Sequence, residues 1–205
     1  NRYPIKQPIL IRNPRLTIKS TTSTNASIID ANYTPIFQLT DDMPYGFFVS
    51  NDPDMDSREL IGNVEFRNIC VLSIGKKTDY GLITFWNAHS SGVFDCYVGG
   101  VATLGGMDKA YYHKDMSNAH QGSCVQFIAH REPWSTSTWV NRVDSNDFHW
   151  STGPGLINES SDSYIFKNYI SHTAGVREHS FSNNRYIGNH VDNTILKFNN
   201  RYTLM

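Results

Sequence analysis

The sequence has little charge and no surplus of either sign. Lys and Arg number 18 and Asp and Glu 19, dispersed along 205 residues, for a formal net charge of −1 with histidine neutral. A protein that tracks a phosphate backbone carries a clustered basic excess, so no nucleic-acid partner is expected. No apolar run approaches the ~20 residues that cross a bilayer as a helix, and membrane insertion is not expected either. The opening stretch "NRYPIKQPILI" has no charged-then-apolar leader pattern. Cysteine is scarce. Cys70, Cys96 and Cys124 are odd in number, far apart and set in apolar text, which fits neither a CxxC metal clip nor a disulfide framework; three buried thiols acting as small hydrophobes are expected. The eight histidines show no H-x-x-x-H pair, so no structural or catalytic zinc is expected. Glycine-rich nucleotide loops and the G-x-S-x-G elbow are missing, which removes nucleotide enzymes and α/β hydrolases. Asn-Gly and Asp-Gly hairpin turns are missing too, and an antiparallel sandwich uses several of them.

What is present is a series of short β-like runs: "PILIRN", "RLTIKS", "PIFQLT", "YGFFVS", "NVEFRNICVLSI", "GLITFW", "GVFDCYV", "CVQFIAH", "SYIFKNYI" and "TILKF". Each is bounded by Gly, Pro, Asn, Asp or Ser, the strand-and-turn pattern, and no amphipathic helix interrupts them. "FSNNRYI" is echoed by "KFNNRYT", and an aromatic followed by Asn or Cys and a further apolar position recurs at Phe66, Phe94, Phe166, Phe181 and Phe198. Variable but turn-sized spacing suits a solenoid that keeps its strands and varies its loops. The pattern predicts inward-stacked phenylalanines and Asn corners that tolerate left-handed backbone while bonding to the next coil. A viral capsid or lectin jelly roll is the competing all-β fold.

"YPIKQPILIRNPRLTIKS", then "IGNVEFRNICVLSIG" and "YGLITFWNAHSSGVFDCYVGG", resemble the right-handed parallel β-helix of the pectate-lyase-like superfamily, most closely bacteriophage tailspike proteins. The resemblance covers residues 3–100, fades between about 100 and 160 and returns from 163 to 204. It implies one β-helix domain over 1–205 with an irregular, loop-rich insertion at about 100–160. It also implies a chain truncated at both ends of the solenoid, because the family's usual cap helix is missing. For function it implies an extracellular or virion-tail protein, a homotrimer, that binds and depolymerises bacterial surface polysaccharide as a glycosidase or lyase. Related coils also serve as non-catalytic adhesins, so the fold alone does not give the activity.

Sugar rings pack on flat aromatics, and their hydroxyls want Asn, Asp, Glu and Arg. The irregular middle, "HREPWSTSTWVNRVDSNDFHW", offers Trp134, Trp139 and Trp150 with His130, Arg131 and Arg142 as a binding set. Glycoside hydrolysis needs two carboxyl groups, ~5.5 Å apart for retention or ~6.5–9.5 Å for inversion; Glu132, Asp144, Asp147 and Glu178 are the candidates. Elimination needs a base, for which His149 or the run Arg177, Glu178, His179 could serve. If the strands before these clusters lie in successive coils, the clusters stack on one face. No cofactor is expected, with one reservation: Asp52, Asp54 and Asp56 alternate in "NDPDMDSRE" and offer oxygens of the kind Ca²⁺ takes, although the Gly and Glu of an EF-hand loop are missing.

Overall fold

A computed structural model describes residues 2–20, 35–56, 59–100, 122–129, 138–151, 153–178, 183–192 and 197–198. Each short apolar run forms a strand of two to four residues, and the chain visits three sheets, here faces A, B and C, in the same order on every turn. The first coil is β1 (Arg2–Ile5), β2 (Ile9–Ile11) and β3 (Thr17–Lys19); the second is β4 (Ile36–Leu39), β5 (Phe47–Val49), a short corner strand β6 (Ile61–Gly62) and β7 (Glu65–Arg67). The third is β8 (Cys70–Leu72), β9 (Ile83–Trp86), corner strand β10 (Ala88–His89) and β11 (Gly92–Phe94). Then follow β12 (Tyr97–Gly99), β13 (Val125–Ile128) and β14 (Arg142–Asp144); β15 (Asp147–His149), β16 (Leu156–Asn158) and β17 (Tyr164–Phe166); and β18 (Tyr169–Ser171), β19 (Val176–Glu178) and β20 (Arg185–Ile187). The last described turn holds β21 (His190–Asp192) on face A and β22 (Lys197–Phe198) on face B.

Every one of these strand pairings is parallel and joins a strand to its counterpart one coil away, as in β12 between β8 and β15. The chain is therefore an all-β parallel β-helix. A jelly roll, whose neighbouring strands run antiparallel, is excluded. The sequence pattern fades between 100 and 160, yet the strands described there, β13 to β16, hold register with the coils on either side.

The core follows from strand alternation. Face C turns Ile18, Phe66, Val93, Val143, Ile165 and Tyr186 inward in one register row. Face B contributes Phe85 and Phe127, stacked at 4.4 Å between centroids, and Phe66 meets Phe47 and Phe85 edge-on. The expected phenylalanine column is only partly right. Phe66 is buried inward, but Phe94 and Phe166 pair with Arg67 and Asp144 in the next register row and lie on the outer side of face C. A slip of one residue along a strand exchanges faces, and aligning the repeat on Phe made that slip. Arg67 places its guanidinium carbon 3.8 Å from the Phe94 ring centre, and Arg142 lies 5.7 Å and 5.8 Å from Phe94 and Phe166. Phe181 is outside the described residues.

The corners divide the work expected of one asparagine between two neighbours. From the second to the sixth coil, face C returns to face A through a two-residue corner. Its first residue is left-handed: Asn68, Asp95, Ser145, Lys167 and Gly188, with φ between 49° and 66°. The second faces inward, and in the later coils it is Asn146, Asn168 and Asn189. The Cys96 N–H donates to Asn146 Oδ1 (2.9 Å), the Asn146 N–H to Asn168 Oδ1 (3.0 Å) and the Asn168 N–H to Asn189 Oδ1 (3.0 Å). Each side-chain amide donates back to a carbonyl of the preceding coil: Val93, Val143 and Ile165. A second ladder runs along the B-to-C corner, where Val64, Ser91, Asn141 and Ser163 donate their N–H to Ser91, Asn141, Ser163 and Asn184 in turn. These ladders satisfy corner amides that would otherwise be buried without partners.

The three thiols are free and buried, as expected. Burial pushes Cys70 and Cys96 up to about 12 and Cys124 higher still, so none is a thiolate nucleophile.

Candidate functional site

Strand alternation sorts the candidate residues onto different faces. Asp147 and His149 are first and third in β15, so both stand on the outer side of face A. His149 Nδ1 lies 2.7 Å from Asp147 Oδ1, out of line for a hydrogen bond.

Around this pair the register gathers rings from four coils. Tyr97 and Tyr169 pair with Asp147 in β12 and β18, and His190 follows Tyr169 in β21. Trp150 and His172 are left-handed residues directly after β15 and β18, at φ 57° and 51°, and that geometry throws both rings to the same A-to-B corner. Their centroids are 4.0 Å apart, nearly parallel. His149 lies 5.7 Å from Trp150 and 5.1 Å from Tyr169, and Tyr169 stacks on His190 at 4.9 Å. The result is a continuous aromatic and imidazole strip with one carboxylate beside it. Tyr97 is buried at its edge, where burial first and Asp147 second push its phenol up, so it remains a neutral donor. Gly99 makes the close approach possible: a Cβ there would lie 1.7 Å from the His149 carbonyl oxygen.

The other candidates do not join this strip. Asp144 is on the outer side of face C, ion-paired to Arg142 at 2.5 Å. Trp139 sits at the B-to-C corner, bridged to His89 and Ser161 and stacked on the His89 ring at 5.1 Å. Arg177 is on the outer side of face B, so Asp147 with His149 and Arg177 with Glu178 do not share the single face expected of them. Glu178 follows Arg177 by one residue and faces inward, with no exposed surface. It accepts from Asn184 Nδ2 (2.7 Å), Asn158 Nδ2 (2.9 Å) and the Tyr186 hydroxyl, whose phenol is pushed well up by burial and by Glu178 itself. A glycan on the outer surface does not reach it. His130, Arg131, Glu132, Trp134 and His179 lie outside the described residues.

Of the carboxylates proposed from the sequence, Asp144 and Asp147 stand on different faces and Glu178 points inward, whereas His149 and Asp147 lie side by side on the outer side of face A. For Ca²⁺, Asp52 is buried and uses Oδ1 to accept the Asp54 N–H at 3.1 Å, and the described residues hold no group of three or more His, Cys, Asp or Glu placed to share an ion. Sequence reasoning missed Tyr97, Tyr169, His172 and His190. The signal was available: each takes the first outward strand position or the residue just after the strand, once coils are aligned on the corner asparagines instead of on phenylalanine.

No protein-family model matches the chain, nor does any curated protein or any solved structure.

Proposed function

We propose that this is an extracellular, tailspike-like β-helix that binds a bacterial surface polysaccharide and cleaves it. The observation that carries the proposal is the Asp147–His149 pair set within the Tyr97, Trp150, Tyr169, His172 and His190 strip on face A. Rings offer a sugar its apolar faces, and the coil spacing of ~4.8 Å lets an extended chain contact successive turns. His149, with Asp147 beside it, is the general base, and proton abstraction beside a sugar carboxylate, with elimination of the leaving oxygen, is the chemistry these groups support best. A homotrimer, free or on a phage tail, accords with the likeness of the coils to tailspike proteins.

The test is incubation with a panel of bacterial capsular and lipopolysaccharide chains, reading new reducing ends together with the ultraviolet absorbance of an unsaturated sugar. Both signals are expected. His149→Ala is expected to lower kcat by ~100-fold or more with little change in KM, in keeping with the usual worth of a general base. Trp150→Ala is expected to raise KM instead. Reducing ends without absorbance would move the chemistry to hydrolysis. Saturable binding with neither product would support the non-catalytic adhesin.

A further inference from the structure

Face B carries a pocket of about 480 Å³, in the range of small-ligand sites, that the strip on face A does not use. Its walls are Met55, Tyr80, Trp86 and Ile128, and its polar groups are Glu159 and Arg177. Trp86 and Ile128 belong to a buried apolar cluster with Phe48 and Ile157 on the outside of the sheet, so the floor is apolar. Arg177 projects from the middle of β19 between inward Val176 and Glu178. Its Nη1 is buried and donates to no acceptor, and Arg177 makes no ion pair among the described residues. Glu159 stands in the same pocket but is turned to the backbone, where Oε2 accepts the Ala129 N–H at 3.3 Å.

A buried guanidinium N–H without an acceptor is costly, and a planar carboxylate is the acceptor its fork fits best. An acidic sugar combines a carboxylate with an apolar ring face that a tryptophan packs against. The geometry points to a subsite on face B for a carboxylate-bearing sugar residue, with its carboxylate on Arg177 and its ring face against Trp86. This inference rests on the glycan-binding half of the proposal above and not on the cleavage half.

The experiment is calorimetric titration of the His149→Ala protein, so that no turnover intervenes, with glucuronate-containing oligosaccharides, their carboxyl methyl esters, neutral glucose oligomers and sodium acetate. The acidic oligomers are expected to bind; esters and neutral oligomers are expected to bind at least ~10-fold more weakly. Arg177→Gln is expected to weaken acidic-oligomer binding by roughly 10- to 100-fold while leaving the far-ultraviolet spectrum and melting temperature unchanged. Acidic binding that is lost in Trp150→Ala yet untouched by Arg177→Gln would overturn the subsite and leave the strip on face A standing. Acetate competing as well as the oligomer would reduce the site to a general anion hole. Absence of binding by any acidic oligomer would also overturn the subsite.

Discussion

Val140 is a β-branched side chain at φ 53°, a conformation that costs an L-residue about 1–2 kcal/mol, and it is 46% exposed, so little packing compensates. Its backbone N–H still donates to the Ser161 carbonyl at 2.9 Å. Val140→Asn keeps that bond and relieves the strain, so it is expected to raise unfolding stability by about 1 kcal/mol, measurable as a shifted urea midpoint with an unchanged slope. An unchanged midpoint would mean that the corner tolerates valine without cost. The same residue shows why some of the corners were hidden in the sequence. Asn63, Asn68 and Asn183 announce a left-handed turn, but Val140, Lys167 and Arg15 adopt it with nothing in their chemistry to say so. Glu178 was hidden for another reason. In "VRE" the alternation rule turns Glu inward once Val176 is inward, but a charged side chain reads as solvated until its three partners, Asn158, Asn184 and Tyr186, are known to meet it.

At the scale of the strand and its corner, the sequence told the architecture and misplaced the register. Short apolar runs between turn residues and a repeated Asn were enough to predict coils, because a parallel stack demands both. The choice of inward column was not, because three-residue strands hold a single central side chain and an outward phenylalanine under arginine looks like a core residue. The asparagine ladder is the element that corrects the register, and it also has a measurable worth. Asn168→Leu removes the acceptor of the Asn146 N–H and the donor to the Val143 carbonyl, both buried. A loss of about 3 kcal/mol is expected by urea unfolding, more than the apolar gain returns, with faster amide exchange at Asn146. A loss below about 1 kcal/mol would mean that water replaces the rung. The residues of the strip on face A were legible as types and not as a group, since Tyr97, Asp147, Tyr169 and His190 meet only through register across four coils.

For the whole molecule, the buried thiols set an alkaline limit. Native Cys70 and Cys96 hold their protons up to about pH 12, and Cys124 beyond it, all chiefly through burial, while the unfolded chain releases them near 8.5. Raised native values favour the folded state only while the proton stays bound in both states. Stability is therefore expected to be flat below about pH 8.5 and to fall above it by up to ~1.4 kcal/mol per pH unit for each thiol. Urea midpoints at pH 8 and above would show this, Cys70→Ala would lessen the slope, and a midpoint independent of pH would refute it. Iodoacetamide is expected to label the native protein slowly and the urea-unfolded chain fully.

The corner between faces C and A keeps two residues from the second coil to the sixth, whereas over the same coils the connections on either side of face B range from the four residues 172–175 to the whole of 100–124. From the second coil to the sixth, the corner between faces C and A thus acts as a constant spine, and insertion is confined to the connections flanking face B. Evolution can lengthen, exchange or delete recognition loops there one coil at a time, and a protein engineer can graft them at the same positions, without rewinding the stack.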